Sequence, residues 1–419
     1  MPAPPTTGIP DVFDPRIFAD GVPHDALRFL RDHHPVCWQD EHEVGIWPAG
    51  PGFWAVTRYA DVWHVLRNPQ DFSSALGATQ IRDPDPADLP FIRRMILNMD
   101  PPEQTRLRRL VTGAFSRRRL ERFTEQITQR ARDLLDAVAG AGECDLPAHV
   151  TDDFPLLNLA DLLGVPPADR QLLLEWTNRV IGYQDPEHAT TAYGADGKPI
   201  NPRSPAALAD MFDYAQALAE RKQREPADDV MTALVHAEVD GERLTDAELK
   251  MFFFLLVIAG NDTVRSALPG GVAALVGHPD VYARLRADLT GLPLAIEEML
   301  RWHPPVLTFR RTATRDLVLA GQPIAAGDKV VVYHVSAHRD ERRFPRPDVF
   351  DPAREPNDHL AFGQGPHLCL GAAFARMQMR IFFTEFLTRL PQVEPAGPAR
   401  RLTSNFINGL KSLPLRWAG

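Results

Sequence analysis

The capping box Thr245-Asp246-Ala247-Glu248 opens the longest apolar helical stretch of the chain, and that stretch constrains the fold most. Thr245 at the N-cap and Glu248 three residues on can each satisfy a backbone N–H that a helix start leaves bare. The helix runs on to about Val276, about 48 Å at 1.5 Å per residue, enough to cross the whole molecule. Pro269 lies inside it and predicts a bend, because a proline cannot donate to the carbonyl of Arg265. The chain shows no regular alternation of strand and helix, which argues against a doubly wound or barrel α/β fold. It reads as mainly α.

The other segments agree with that class. Phe53-Trp54-Ala55-Val56-Thr57 is aromatic and β-branched and predicts a strand, with a short helix over residues 61–66 behind it. Residues 77–90 are rich in Gly, Pro and Asp and read as a loop. Residues 102–140 are helical and basic. Residues 156–220 hold several helices, broken by a polar loop with Gly and Pro at 182–205. Residues 294–302 form a helix stopped by Pro304-Pro305. Residues 307–334 alternate apolar and polar around Ala326-Gly327-Asp328, which predicts strands and a turn. One domain, 1–419, is expected, mostly helical, with short sheets near both ends of the chain.

At 419 residues the chain can bury a large core or two lobes. Its net charge of −9 argues against nucleic acid as a partner. Cys37, Cys144 and Cys369 stand far apart with no Cys-x-x-Cys, which argues against a zinc site, an iron–sulfur cluster or a disulfide framework. That usage suits a reducing cytoplasm. The Pro-rich, polar residues 1–15 do not read as a signal peptide. The strongest apolar run, residues 251–259, is short of the roughly 20 residues of a membrane anchor. A cytoplasmic chain without an anchor is expected.

Cys369 sits in Phe362-Gly363-Gln364-Gly365-Pro366-His367-Leu368-Cys369-Leu370-Gly371, ahead of an apolar, Arg-containing helical stretch over residues 371–384. Glycines permit a tight turn and the close approach of a large flat ligand. A thiol at a helix start meets converging N–H groups and a positive dipole end, which favour thiolate, and thiolate is what an axial haem ligand requires. A lone cysteine is more often a small buried hydrophobe, and Gly363-x-Gly365 could open a dinucleotide loop. The dinucleotide reading fails because position 368 is Leu and residues 352–359 lack the apolar run of a buried strand. The segment resembles instead the haem-binding signature of the cytochrome P450 family, Phe-Gly-x-Gly-x-His-x-Cys-x-Gly, at every defining position.

The resemblance covers nearly the whole chain. It implies the family's α-rich prism with a small β-rich lobe, a haem b cofactor, and Cys369 as the iron ligand, with Phe362, Gly363 and Gly371 shaping the loop. Ala259-Gly260-Asn261-Asp262-Thr263 resembles the family's oxygen-activation motif, small-Gly-x-acid-Thr. Gly260 is expected to leave room beside the helix for a diatomic ligand. The Thr263 hydroxyl is expected to bond back to a carbonyl one turn earlier, and Asp262 to supply a titratable group, so that the pair delivers protons. Val264 stands where many relatives have a second Thr. Glu298-Met299-Leu300-Arg301 matches the family's Glu-x-x-Arg pair on one helical face and is expected to tie to Arg354 as structural support. For the haem propionates, which need cationic or hydrogen-bonding partners, the resemblance implies Arg108, Arg311 and His367. Gln104, one turn before Arg108, is a neutral partner where many relatives have His.

The likeness further implies a soluble bacterial monooxygenase that inserts one atom of O2 into a C–H bond of a hydrophobic small molecule. Electrons would come from NAD(P)H through a ferredoxin reductase and a ferredoxin, the chain having no room for a fused reductase. Arginines crowd the segment from Arg93 to Arg122. They read either as a solvated helix face or, extended by Arg376 and Arg380, as a docking surface for an acidic redox partner. Motif position makes Leu97, Leu255, Ile258, Ala259, Val306, Leu307 and Ile407 the candidate pocket. All are apolar, which disfavours a charged reacting end, while a distal carboxylate could still reach an arginine in the 77–94 stretch. Residues 98–103 and 404–411 look like actinobacterial relatives that oxidise sterol side chains, methyl-branched lipids or terpenoids. Two other readings stay open. One is a peroxide-driven haem-thiolate peroxygenase, which has no need of the Asp262–Thr263 pair. The other is a haem-thiolate ligand-binding protein without turnover, which has no need of a basic face.

Overall fold

The computed structural model describes residues 8–45, 47–181, 184–187 and 204–417. The helix that the capping box opens runs Asp246–Val276, unbroken through Pro269. Glu248 N–H donates to Thr245 Oγ1 at 3.3 Å, and Thr245 N–H donates to Glu248 Oε2 at 2.8 Å. The helix is long and apolar enough to cross a membrane, but 67% of its most apolar window is buried inside the fold. Protein surrounds it: Phe252, Phe253, Val257, Leu268, Val272 and Leu275 all sit in the main core.

The surrounding helices are α1 (Tyr59–Arg67), α2 (Glu103–Thr112), α3 (Thr124–Ala139), α4 (Asp153–Leu163), α5 (Arg170–Ile181) and α6 (Ala209–Arg224). After the central helix, α7 (Asp246–Val276), come α8 (Leu292–Trp302) and α9 (Ala372–Arg389). Helices α4, α5, α6, α8 and α9 all contact α7. The helical pattern over residues 102–140 resolves into α2 and α3 joined by short turns, because Ser116 is extended (φ −61°, ψ 144°) and interrupts the ladder. The break expected at 182–205 lies mostly outside the described residues.

Five strands make the principal sheet: β1 (Val36–Gln39), β2 (Phe53–Val56), β3 (Phe72–Ser73), β4 (Thr308–Ala313) and β5 (Lys329–Tyr333), in the order β1-β2-β5-β4-β3. β5 runs parallel to β2 and antiparallel to β4, so segments from the two ends of the chain interleave in one sheet. Val56, Val62, Leu66, Phe72, Val330 and Leu360 form a second core on it. The result is the expected α-rich body with a small β-rich lobe. Leu360, in that second core, immediately precedes the cysteine loop.

Candidate active site around Cys369

The loop folds back on itself before α9. Cys369 N–H donates to Phe362 O at 2.9 Å, and Gly363 N–H donates to Leu360 O at 2.9 Å. Gly365 has φ +70°, and a Cβ there would lie 2.6 Å from Leu66 O at the end of α1, so no other residue fits. Gly371 differs. Its φ is −86°, and a Cβ on it would meet nothing within 4 Å. Protein packing therefore does not demand glycine at 371; open space beside it does suit a flat ligand lying close to the backbone.

Cys369 is accessible, yet burial raises its thiol pKa; the Gly371 N–H, Arg108 and Arg376 pull the other way. The expected tilt toward thiolate at the helix start is thus present but outweighed by desolvation. Metal coordination, which deprotonates a thiol outright, would reverse that balance.

Arg108 stands near this thiol, and Arg108 and Arg311 both stand near His367 of the same loop. Arg108 and Arg311 make no ion pair among the described residues; Arg311 is buried, donates only to Arg310 O at 2.8 Å, and its pKa falls to about 10 by desolvation. Arg108 is lowered by burial too, with Cys369 opposing. His367 is lowered to about 3, by burial first and then by Arg311, and its Nε2 lies 3.2 Å from Ser74 Oγ. Two guanidiniums with no ion pair among the described residues, and a neutral histidine beside them, suit an anion. Gln104 departs from expectation: its Nε2 donates to Pro366 O at 2.7 Å, so its amide holds the loop itself. Arg310 is no solvated surface residue either. It is buried and paired with Asp83 at 2.5 Å.

In α7, Thr263 Oγ1 donates to Ala259 O at 2.8 Å. Asp262 is buried, and desolvation raises its carboxyl to about 7, against the pull of Arg265 and with a push from Asp152. Arg265 Nη1 lies 3.8 Å from Asp262 Oδ1, while its Nε and Nη2 grip Asp152 at 2.7 and 2.9 Å. Asp262 Oδ2 has no hydrogen-bond partner among the described residues. Gly260 does not open space for a ligand. A Cβ there would lie 3.1 Å from Leu159 Cδ1, so the glycine lets α4 approach α7.

A cavity of about 1010 Å³ of non-protein space, counting its opening to solvent, ends on Ala259, Asp262 and Thr263. Leu97, Leu255, Ile258, Val306 and Ile407 line it, as do Phe91, Met95, Val180, Phe254, Phe309 and Phe406, which the motifs did not single out. Leu307 does not line it; it is fully buried in a separate cluster with Phe13 and Tyr333. Successive strand residues face opposite ways, and Leu307 lies just before β4, next to Val306, which faces the cavity. The wall also holds one arginine, Arg82, which donates to the carbonyls of Pro48 and His42. It falls in the 77–94 stretch from which an arginine for a distal carboxylate was expected.

Glu298 and Arg301 are fully buried and joined by two bonds of 2.7 Å. Arg354 Nε reaches Glu298 at 3.0 Å, and Asp351 N–H donates to it at 2.9 Å. Arg301 also donates to His338 O at 2.8 Å, and His338 Nε2 accepts from Leu360 N–H at 2.7 Å. The pair thus reaches the cysteine loop through His338. Its neighbour Glu297, unremarkable in sequence, accepts two bonds of 2.7 Å from Arg376 and lies 3.0 Å from His359 Nε2. Its carboxyl drops to about 2, because those bonds outweigh the cost of burial. The Arg376 guanidinium lies 4.2 Å from the centre of the Phe362 ring.

The arginine crowd is largely neutralised. Arg106 pairs with Glu103 and Glu248, Arg109 with Asp240, and Arg119 and Arg122 share Asp228. Arg118 and Arg380 make no ion pair among the described residues.

The Cytochrome P450 family profile matches residues 195–397. A methyl-branched lipid omega-hydroxylase of Mycobacterium tuberculosis is 40% identical over 95% of this chain and 92% of its own length. A steroid C26-monooxygenase of the same organism is 36% identical over 98% of this chain and 93% of its own. Among solved structures, Mycobacterium marinum cytochrome P450 CYP268A2 in complex with pseudoionone superposes with a TM-score of 0.86, 36% identity and full coverage of both chains. The chain belongs to the cytochrome P450 family. It is a monooxygenase, and its cofactor is haem b. The residues present fit that cofactor: an accessible thiol, open space beside Gly371, and two arginines that make no ion pair among the described residues.

Proposed function

We propose that Cys369 binds the haem iron, that Arg108, Arg311 and His367 hold the propionates, and that Asp262 and Thr263 supply protons to the reacting end of the cavity. Haem supplies the oxygen-activating chemistry once bound; the protein binds and orients the substrate, excludes water and moves protons. With a carboxyl pKa near 7, Asp262 is protonated in part at neutral pH, as a relay requires. Its proton-donating form declines as pH rises past about 7. Asp262→Asn is expected to cut product formation about 10²-fold while reductant is still consumed, and to flatten the wild-type decline above pH 7. A variant with the wild-type rate and pH profile would refute the relay.

The substrate reading rests on the cavity, whose wall is largely apolar. It supports a hydrophobic molecule of the sterol, terpenoid or methyl-branched lipid class, in keeping with the names of the relatives. Electrons come from a ferredoxin and its reductase. A cleft floored by Leu120, Ile296 and Met377 carries Arg117, Arg376 and Arg380 on its rim, and although Glu121 and Glu297 pair with the first two, Arg380 keeps an excess of positive charge that supports docking there. The three cysteines are free, which supports a cytoplasmic setting. A spectral titration with sterols, terpenes and branched fatty acids, followed by turnover with a ferredoxin system over a salt series, tests the whole reading. Turnover that falls with salt at constant substrate affinity is expected. A salt-independent rate removes the docking surface. Equal rates with hydrogen peroxide alone would make the chain a peroxygenase, and binding without product would make it a ligand-binding protein.

A further inference from the structure

The segment 404–411 borders the cavity through Phe406 and Ile407, and it is anchored on one side. Leu307 N–H donates to Phe406 O at 2.8 Å, and Asn408 N–H donates to Pro305 O at 2.8 Å. On its other side it meets residues 184–187, which follow α5, and α5 contributes Val180 to the same cavity. The junction is polar. Gln184 Nε2 donates to Asn405 Oδ1 at 3.0 Å, while Gln184 Oε1 accepts from Ser404 Oγ at 2.9 Å and from Asn405 N–H at 3.2 Å. Asn405 Nδ2 donates to Phe13 O at 2.6 Å, and Asn405 O accepts from Thr308 Oγ1 at 2.9 Å. Both amide orientations follow from these partners. One buried asparagine therefore joins the N-terminal segment, β4 and the end of α5.

We propose that Gln184 and Asn405 form an amide clasp that sets how far the cavity wall between Val180 and Phe406 can open, which makes them a positioning pair that selects ligands by bulk. Directional bonds suit this role. The apolar contacts around them can slide, whereas the three bonds to Gln184 hold one geometry and must all break before the wall can widen on the Val180 side of Asp185. The clasp is separable from the fold, because Asp185 next to it stays anchored by Lys411 at 3.0 Å and by Thr403 N–H at 2.9 Å.

This rests on reading the cavity as the space above the haem. The test uses holoprotein and two iron-binding azoles, imidazole and the bulkier 4-phenylimidazole, followed by stopped-flow absorbance. In Gln184→Ala the bulky azole should enter and leave about fivefold faster, the equivalent of roughly one net hydrogen bond, while imidazole rates stay within about twofold. Gln184→Glu keeps the acceptor for Ser404 and Asn405 N–H and should fall between the two. Thermal melting identifies a variant that has merely lost stability, since that would speed both azoles alike. Bulky-azole rates unchanged in Gln184→Ala, or equal changes for both azoles, overturn the clasp. Failure of 4-phenylimidazole to bind the wild type at all, with imidazole still binding, would overturn the cavity reading and the clasp with it.

Discussion

Replacing Cys369 with alanine is expected to abolish the red-shifted Soret band of the reduced, carbon monoxide-bound protein and to take product formation to background. No other thiol can stand in. Cys37 lies buried in the β1–β2 core with its thiol pushed up to about 11, and Cys144, on the opposite lobe's small sheet, is raised to about 11 as well. The loop should survive the change, because its closing bonds are main-chain: Cys369 N–H to Phe362 O and Gly363 N–H to Leu360 O. Gly365 keeps its turn against Leu66. Melting of the apoprotein should therefore shift little, and spectrum and activity should fail together on an intact fold. A retained red-shifted band in the alanine variant, or a histidine-type spectrum in the wild type, would refute the ligand assignment.

Glu298→Ala is expected to lose about 3–5 kcal/mol of stability, the usual cost of removing one partner from a buried charged group. Both Arg301 and Arg354 depend on this carboxylate, and Asp351 N–H and Asn357 also donate to it. With side chains fully buried at 298 and 301, the stranded guanidiniums cannot recover water. Because whole proteins are stable by only about 5–15 kcal/mol, the variant should accumulate poorly and retain less haem. Glu298→Gln keeps an acceptor oxygen and the shape, and should lose less. Urea denaturation and haem content per chain measure both. An alanine variant within about 1 kcal/mol of wild type would show that the carbonyls of His338, Pro347 and Val349 suffice for Arg301. Thr308, Ser404 and Asn405 share no hydrogen bond with this network among the described residues, so the clasp and the Glu298 knot should respond independently.

Much was legible because it is local. The capping box, the apolar run behind it, the Glu-x-x-Arg spacing and the glycine-bracketed cysteine each depend on residues within a turn or two, and their chemistry follows from spacing. Thr263 bonding back to Ala259 is of the same kind. The expectations that failed concern which way particular residues face across the molecule. Gly260 is small because Leu159 lies against it, a hundred positions away. Leu307 and Val306 are equally apolar, yet only Val306 meets the cavity. Arg310 and Arg311 are identical in type and adjacent, but Asp83 neutralises the first and leaves the second unpaired.

The sequence by itself determined the class of chemistry: a thiol on a glycine loop and an acid–threonine pair in a long apolar helix, each carried by short-range geometry. Tertiary structure decided the electrostatic state and surroundings of those groups. Burial, with a push from Asp152, raises Asp262 to about 7, and burial outweighs the helix start at Cys369 and lowers both Arg108 and Arg311. Desolvation depends on how many distant segments close over a residue, and neither residue type nor spacing along the chain encodes that number.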